Sequence, residues 1–216
     1  MKQIELKALA KINLGLDVLG RRENGYHDVR MIMQSVYLYD DVVIVRKDLP
    51  GIEVETNLHF LPTDENNIAY KAAAMLMEEF KLPGGVRIVL NKHIPVAAGM
   101  AGGSSNAAAV LFGMNKMFRL GLSQRSLMER GVRLGADVPY CIMRGTALAE
   151  GIGEKLTRLP EVPKCYVLIG KPGINVSTKT AYENLNLEGI GKHPDIDGLI
   201  GAIRNNDLYA MASRME

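Results

Sequence analysis

The sequence predicts an α+β protein, and three observations point to this fold class. At 216 residues the chain exceeds the usual size of one domain and falls short of two, so we expect one complete domain and a smaller or partial second. Hydrophobic residues make up 47% of the chain and charged residues 23%, which is the composition of a folded protein. Strand and helix patterns do not alternate strictly, which disfavours a doubly wound parallel sheet.

Strand patterns dominate the first half of the chain. From Ile12 to Val18 every second residue is apolar, which predicts a half-buried strand. Its opposite face is polar and carries Lys11, Asn13, Gly15 and Asp17. Runs rich in strand-forming residues, bounded by Pro, Gly, Asn or Asp, predict further strands at 41–46, 52–56, 86–90 and 164–169.

Apolar residues at helical spacing predict three helices. They run from near Asn67 to the stop at 83–85, from about Ser104 to Leu120 with Gly121 as the stop, and from the N-cap Ser123 to just before Gly135. A polar stretch at 204–216 also has a helical pattern. Gly, Pro and charged residues concentrate at 151–163, so we expect a domain boundary there, between 1–155 and 156–216.

The charge balance argues against a polyanionic partner. The chain has 26 basic and 24 acidic residues, a net charge of +2, which is too small to hold DNA or RNA by its overall field. Residues 111–158 carry a local surplus of Lys and Arg. This surplus fits a small phosphorylated substrate about as well as it fits a solvated helix face.

Neither export nor membrane insertion is indicated. Lysines interrupt the N-terminal segment, whereas a signal peptide needs an unbroken apolar core and a spanning helix needs about 20 apolar residues. The two cysteines, Cys141 and Cys165, have neither metal-site nor disulfide spacing. We therefore expect a cytoplasmic protein with no membrane partner and no metal site built from cysteines.

The strongest local signal is the segment from Pro95 to Ala109, where a strand pattern gives way to a Gly-rich loop that opens directly into a helix. Glycines allow close backbone approach, and a helix N-terminus supplies the positive end of its dipole, so the segment predicts an anion-binding site. It matches neither GxxxxGK[ST] nor GxGxxG, which indicates another kind of phosphate binder. A flexible loop with a serine N-cap is the alternative interpretation.

Two further motifs contain residues that could act in catalysis. Asp137 lies in GADVPY, a short loop bracketed by glycine and proline, where it could orient a substrate hydroxyl or take its proton. Lys11 lies in AKIN on the polar strand face, where it could stabilise charge. Taken alone, Asp137 would more often be a turn or helix cap, and Lys11 an ordinary solvated lysine.

In this order, the AKINL, Gly-rich and GADVP motifs resemble the GHMP superfamily of galactokinase, homoserine, mevalonate and phosphomevalonate kinases. The segments GRRENGYHDVRMIMQSV (20–36) and AEGIGEKL (149–156) are similar to its branch that phosphorylates a cytidine-diphosphate-linked methylerythritol in the non-mevalonate route to isoprenoids. The resemblance implies an N-terminal ribosomal-protein-S5-domain-2-like α+β domain, followed by the start of a ferredoxin-like C-terminal domain.

The resemblance implies that ATP, with Mg2+, phosphorylates the 2-hydroxyl of the acceptor. Asp137 corresponds by motif position to the catalytic base and Lys11 to the lysine beside it. Asn13 shares that strand face, and Asn13 and Asp137 are both expected to bind the acceptor. Residues expected at the nucleotide are Pro95, Gly99, Ala101, Gly102, Gly103, Ser104, Ser105 and Asn106, with Asn67 and Lys92 nearby. Tyr26, His27 and Tyr182 are expected at the acceptor, because a cytosine can stack between aromatic faces.

The chain departs from the family pattern at two points. Ala101 replaces a usual glycine, so it must take a negative φ or accept strain of about 1–2 kcal/mol. The family also has a third Gly-rich motif near its C-terminus with no counterpart before Glu216, so we expect a fragment or truncated product.

Three alternative functions stay open at this point. The first is a nucleotide binder without catalysis. The second is a GHMP kinase for mevalonate or homoserine, which have no base to stack. The third is an RNA-binding module, which the small net charge disfavours. As a kinase, the protein is expected to act as a monomer or weak homodimer on a small molecule.

Overall fold

The computed structural model describes residues 1–173 and 178–215. The strands are β1 (Gln3–Arg21), β2 (His27–Lys47), β3 (Gly51–Thr56), β4 (Gly85–Asn91), β5 (Thr146–Gly151) and β6 (Lys155–Arg158). The helices are α1 (Ile68–Glu79), α2 (Gly102–Phe118), α3 (Gln124–Val132), α4 (Val138–Met143), α5 (Thr178–Glu183), α6 (Ile196–Arg204) and α7 (Leu208–Ala212). This irregular mixture confirms the α+β class. No helix within the described ranges is long and apolar enough to cross a membrane.

The chain forms two compact units, each assembled from separate segments. The first unit comprises Met1–Ala10, Val36–Pro95 and Ala101–Met143. Within it β3 pairs in parallel with β4, and β4 pairs antiparallel with the second half of β2. Helix α2 packs against α1, α3 and α4.

A buried glycine lets α2 approach the strands of the first unit. A Cβ built on Gly113 would lie 2.6 Å from Ile44 Cδ1 and 2.9 Å from Leu6 Cδ1. Both distances are shorter than side-chain carbons normally allow, so a larger residue would force the ends of the Ile44 and Leu6 side chains, or the helix itself, to shift. Gly113 therefore fixes how closely the helix carrying the Gly-rich motif packs on its strands.

The second unit comprises Lys11–Ser35, Val96–Met100 and Arg144–Glu216. The first half of β2 pairs antiparallel with β5, which pairs antiparallel with β6. Between β1 and β2 the chain turns at Gly25, whose φ of +83° favours glycine. The unit's core contains Leu14, Ile32, Leu159, Ile196, Leu199, Ile200, Ala202, Ile203 and Met211.

The strand predictions are partly confirmed. β3 and β4 match 52–56 and 86–90, and 41–46 forms part of the longer β2. β1 begins at Gln3, well before Ile12, and its predicted polar face is buried at Lys11 and Asp17. The strand predicted at 164–169 is wrong, because this segment has no regular structure. Strand-forming residues make a strand only where another strand pairs with them, and no described strand pairs with this segment.

The three predicted helices are confirmed, with corrected ends. Ser123 caps α3 as expected, and α1 begins directly after Asn67, which the structure shows to be its N-cap. α2 begins at Gly102 and ends at Phe118, and Arg119, with φ 56°, takes the left-handed C-cap position predicted for Gly121. The polar stretch at 204–216 is not one helix, since it contains the end of α6 and the short α7. The boundary expected near residue 155 stays a prediction.

Candidate active site

Left-handed residues shape the Gly-rich loop before α2. The backbone φ is 53° at Ala97, 68° at Gly99 and 55° at Ala101. A left-handed conformation costs a residue with a Cβ about 1–2 kcal/mol, so both alanines are strained. The sequence left Ala101 with either a negative φ or a strained backbone, and the structure shows the strained, left-handed conformation.

The N-terminus of α2 presents backbone N–H groups that the helix does not use. Ala101, its N-cap, offers no side-chain hydrogen bond to the first turn. The N–H of Ser105 donates to the Ala101 carbonyl at 2.8 Å, so the helix itself uses none of the N–H groups of Gly102, Gly103 and Ser104. A left-handed residue followed by helical ones turns successive N–H groups toward one concavity, and the helix dipole adds positive potential there.

A buried ionic network underlies this helix end. Asp40, in β2, is fully buried and pairs with the ammonium of Lys92. Asn106 of α2 bridges the pair: its Oδ1 accepts from Lys92 Nζ at 2.7 Å and its Nδ2 donates to Asp40 Oδ2 at 2.9 Å. Sequence reasoning missed Asp40. The available signal was the Asp40–Asp41 pair beside the apolar run of β2, because strand alternation turns one of the two inward and a buried charge needs partners.

Four side chains predicted at the nucleotide are buried and have protein partners. They are Asn67, Lys92, Ser105 and Asn106. Ser105 Oγ donates to the Leu9 carbonyl at 2.6 Å. Asn67 caps α1, since its Oδ1 accepts from Ala69 N at 2.9 Å and its Nδ2 donates to the Pro62 carbonyl at 2.7 Å. These side chains hold the local backbone in place.

The first unit brings the GADVP motif close to the Gly-rich motif. A Cβ built on Gly135 would lie 3.6 Å from Ile68 Cδ1 and 4.0 Å from Ser104 Oγ. A Cβ built on Gly103 would lie 3.4 Å from Ile68 Cγ2. Ile68 therefore lies between the two motifs near the N-terminus of α2. Asp137 directly precedes α4, and its carbonyl accepts from Cys141 N at 3.0 Å.

In the second unit, Lys11 and Asn13 lie together on one face of β1. Lys11 Nζ donates to Asn13 Oδ1 at 3.3 Å. The backbone N–H of Lys11 donates to the carbonyl of Met100 at 3.2 Å, which ties β1 to the Gly-rich loop. The strand periodicity predicted the shared face, whereas the contact with Met100 was not predicted.

Two of the three predicted acceptor residues contact each other. His27, buried at the start of β2, stacks on Tyr182 with ring centroids 5.1 Å apart and an interplanar angle of 30°. Tyr26 is exposed, and its N–H donates to Asn24 Oδ1 at 3.1 Å. At the same turn, Arg22 Nε donates to Asp28 Oδ1 at 3.1 Å, and this guanidinium holds the pKa of Asp28 below its ordinary value.

Two further ionic contacts in the second unit were not predicted. Asp17 Oδ1 lies 2.6 Å from His193 Nδ1. Arg30 donates to both carboxylate oxygens of Asp197 on α6, at 2.9 and 2.5 Å, and lowers the pKa of Asp197. Both contacts attach the 193–197 segment to β1 and β2.

The described residues contain no cluster of three or more His, Cys, Asp or Glu side chains that could hold a metal. Ser104, in the first turn of α2, and Asp137, directly before α4, carry side-chain oxygens of the kind that bind divalent cations.

Comparison with known proteins first defines the class. The family model described as GHMP kinases N terminal domain matches residues 67–145, which contain α1, α2 and the GADVP motif. A crystal structure of homoserine kinase from Cytophaga hutchinsonii is 19% identical, with a TM-score of 0.73, over 100% of this chain and 72% of that one. At this identity the match shows the fold alone, which is that of a GHMP kinase.

More similar proteins identify the family. The chain is 61% identical to a 4-diphosphocytidyl-2-C-methyl-D-erythritol kinase of Lachnospira eligens, over 100% of this chain and 75% of the relative. A kinase of the same name from Lachnoclostridium phytofermentans is 59% identical, over 99% and 73%. A crystal structure of 4-(cytidine 5'-diphospho)-2C-methyl-D-erythritol kinase matches at 33% identity and a TM-score of 0.76, over 94% and 72%. The chain belongs to this kinase family.

Proposed function

We propose that this chain transfers the γ-phosphate of ATP to the 2-hydroxyl of 4-diphosphocytidyl-2-C-methyl-D-erythritol. The observation that carries the proposal is 61% identity, over the whole chain, to a kinase of that name. The N-terminus of α2 provides the independent physical support, because its first N–H groups suit a polyphosphate.

On the nucleotide side, the backbone of the loop binds the phosphates. The N–H groups of Gly102, Gly103 and Ser104, in the first turn after the left-handed Ala101, donate to the phosphate oxygens. Side chains of Asn67, Lys92, Ser105 and Asn106 act indirectly, since each is buried and hydrogen-bonded to protein groups. Ser104 and Asp137 would help the phosphates to hold Mg2+, which would supply positive charge to the transferred phosphoryl group.

On the acceptor side, aromatic residues bind the cytidine base. Tyr26 is exposed and free to offer a ring face, and Tyr182 offers a second aromatic ring, each stacking contact contributing about 1–3 kcal/mol. His27 carries two ring nitrogens that can read the edge of the cytosine. Since Tyr182 rests on His27 in this structure, the base would enter beside that stack.

The transfer step balances as a displacement at phosphorus. The acceptor oxygen forms a bond to the γ-phosphorus while the bond to the bridging oxygen of ADP breaks. Asp137 orients the hydroxyl and takes its proton, and the ammonium of Lys11 stabilises the negative charge. These two roles follow from the motif positions of the residues.

The experiment that tests this function measures ADP release. The chain is supplied with ATP, Mg2+ and the cytidine-linked acceptor, and in parallel with mevalonate or homoserine. We expect ADP release only with the cytidine-linked acceptor, and competition by cytidine diphosphate. Equal rates with mevalonate would contradict the acceptor assignment, and ATP binding without turnover on any acceptor would support the non-catalytic alternative.

The setting of the reaction is also a proposal. We place it in the cytoplasm, because its two cysteines lack the spacing of a disulfide framework, which fits a reducing compartment. We expect the chain to act as a monomer or weak homodimer. Sedimentation velocity at micromolar concentration tests the second statement.

A further inference from the structure

Asp40 organises the backbone around the Gly-rich loop from a fully buried position. Its Oδ1 accepts the N–H groups of His93 and Ile94 at 2.7 and 2.9 Å, just before the loop. Its Oδ2 accepts from Asn106 Nδ2 at 2.9 Å and pairs with the Lys92 ammonium. One carboxylate thus holds both the entry to the loop and the helix that follows it.

Lys92 extends this network to the phosphate-binding end of α2. A Cβ built on Gly102 would lie 3.2 Å from Lys92 Nζ, so the ammonium sits directly against the first residue of the helix. A cation at a helix N-terminus is disfavoured by the helix dipole. Asp40 compensates this charge, and without it the ammonium would be buried and unpaired.

We propose that Asp40 is a positioning residue for ATP, which it never touches, because it holds His93, Ile94, Lys92 and Asn106 so that the loop and the start of α2 keep their phosphate-binding shape. This inference rests on the proposed ATP-dependent function. Asp40 has no exposed surface, so a direct contact with the nucleotide is excluded. Each of its four interactions ends on a residue of, or next to, the proposed nucleotide site.

The test is calorimetric titration with ATP and Mg2+, without acceptor, of the wild-type chain and Asp40→Asn. The substitution keeps the shape of the side chain and removes its charge. Loss of fold lowers the number of binding sites per chain, whereas a misplaced loop raises the Kd of the folded fraction. We expect the Kd for ATP to rise at least about tenfold, since a buried ammonium loses its partner.

The neighbouring Asp41→Asn is the matched control. Asp41 is in the same strand, but its side chain is 45% exposed and its carboxylate lies 3.5 Å from His93 Nε2 on the surface. We expect the Kd for ATP in this variant to stay within about twofold of wild type, as for an exposed ion pair.

A second variant serves if Asp40→Asn does not fold. Asn106→Leu keeps the volume of the side chain and the Asp40–Lys92 pair but removes the bridge to α2. We expect its Kd for ATP to rise at least about threefold, because the variant loses the hydrogen bonds of Asn106 to the charged Lys92 and Asp40. A Kd within about twofold of wild type in every folded variant of Asp40 and Asn106 would overturn the inference.

The two proposals fail in different ways. Wild-type chain that binds ATP but phosphorylates no acceptor contradicts the proposed function, while the Kd values still decide the role of Asp40. Wild-type chain that binds no ATP contradicts both. In an active enzyme, a raised KM for ATP with an unchanged KM for the acceptor in Asp40→Asn supports the positioning role.

Discussion

Four side chains proposed near the nucleotide in the first unit are buried, whereas in the second unit only His27 of the three residues proposed at the cytidine base is buried. Asp40 and Asn106 are 0% and 2% exposed, and their polar atoms are paired with each other and with Lys92. In the second unit, Tyr26 is 57% exposed, and His193, which pairs with Asp17, has a side chain 56% exposed.

This difference in burial matches the different chemistry of the two proposed ligands, the phosphates of ATP and the cytidine base of the acceptor. Backbone N–H donors bind phosphate oxygens best when the protein already holds the donors in position before the ligand arrives. A base stacked on aromatic rings tolerates small adjustments, because stacking is less directional than a hydrogen bond. Substitutions in the two units should therefore differ in which kinetic parameter they change.

The largest effect is expected from Asp137→Asn in the first unit. Removing the proposed base should lower kcat by about 100-fold to 10,000-fold, the usual contribution of a positioned acid or base. The Kd for ATP should change little. Single-turnover ADP release and calorimetry measure the two quantities. Asp48→Asn, an exposed aspartate of the same unit, is the control. Full activity in Asp137→Asn would remove this residue from the mechanism.

The next effect concerns the second unit. Tyr182→Ala should raise the KM for the cytidine-linked acceptor by about 5-fold to 100-fold, since one stacking contact contributes about 1–3 kcal/mol. The KM for ATP should remain unchanged. Steady-state kinetics with each substrate varied in turn gives both values. Tyr37→Ala removes an exposed tyrosine of the first unit and should change neither. If the KM for ATP rose as much as the KM for the acceptor, the result would contradict the proposal that the second unit binds the acceptor and the first binds ATP.

Glycines in helices of the two units should respond in opposite directions. Gly113→Ala should lower the free energy of unfolding by about 1–3 kcal/mol, because its Cβ would overlap Ile44 and Leu6. A Cβ built on Gly201 in α6 would meet no heavy atom within 4 Å. Gly201→Ala should therefore raise that free energy by up to about 1 kcal/mol, because alanine has the higher helix propensity. Urea denaturation measures both. Stabilisation by Gly113→Ala would mean that α2 packs less closely than described.

The smallest effect tests backbone strain in the loop. Ala101→Gly should raise the free energy of unfolding by about 0.5–1 kcal/mol, because relief of left-handed strain exceeds the added entropy of the unfolded chain. Ala98→Gly, at a residue outside the left-handed region, should lower it by a similar amount of about 0.5–1 kcal/mol. Chemical denaturation of the two variants shows whether their signs differ. Equal signs would argue against strain at Ala101.

Features set by local patterns could be predicted from the sequence. Asn67 and Ser123 were predicted near helix starts because capping depends on neighbouring residues. The Gly-rich segment was predicted to open a helix, which begins at Gly102. The alternation around Ile12 placed Lys11 and Asn13 on one face of β1.

Features set by distant partners could not be predicted. The bond from Ser105 to Leu9 joins residues far apart in sequence, as does the pairing of Asp40 with Lys92. Residues 164–169 have strand-forming side chains but no described strand beside them, so propensity alone gave the wrong structure. The conformation of Ala101 depends on how the loop joins α2, and the sequence therefore left two alternatives.

Phosphorus NMR of the reaction tests the central claim most directly. The wild-type chain is incubated with ATP, Mg2+ and 4-diphosphocytidyl-2-C-methyl-D-erythritol, and the phosphorus signals are followed over time. The account predicts a new phosphomonoester signal on the acceptor that grows in step with ADP as ATP disappears. An acceptor that keeps its original signals, with a chain that is folded and binds ATP, would contradict it.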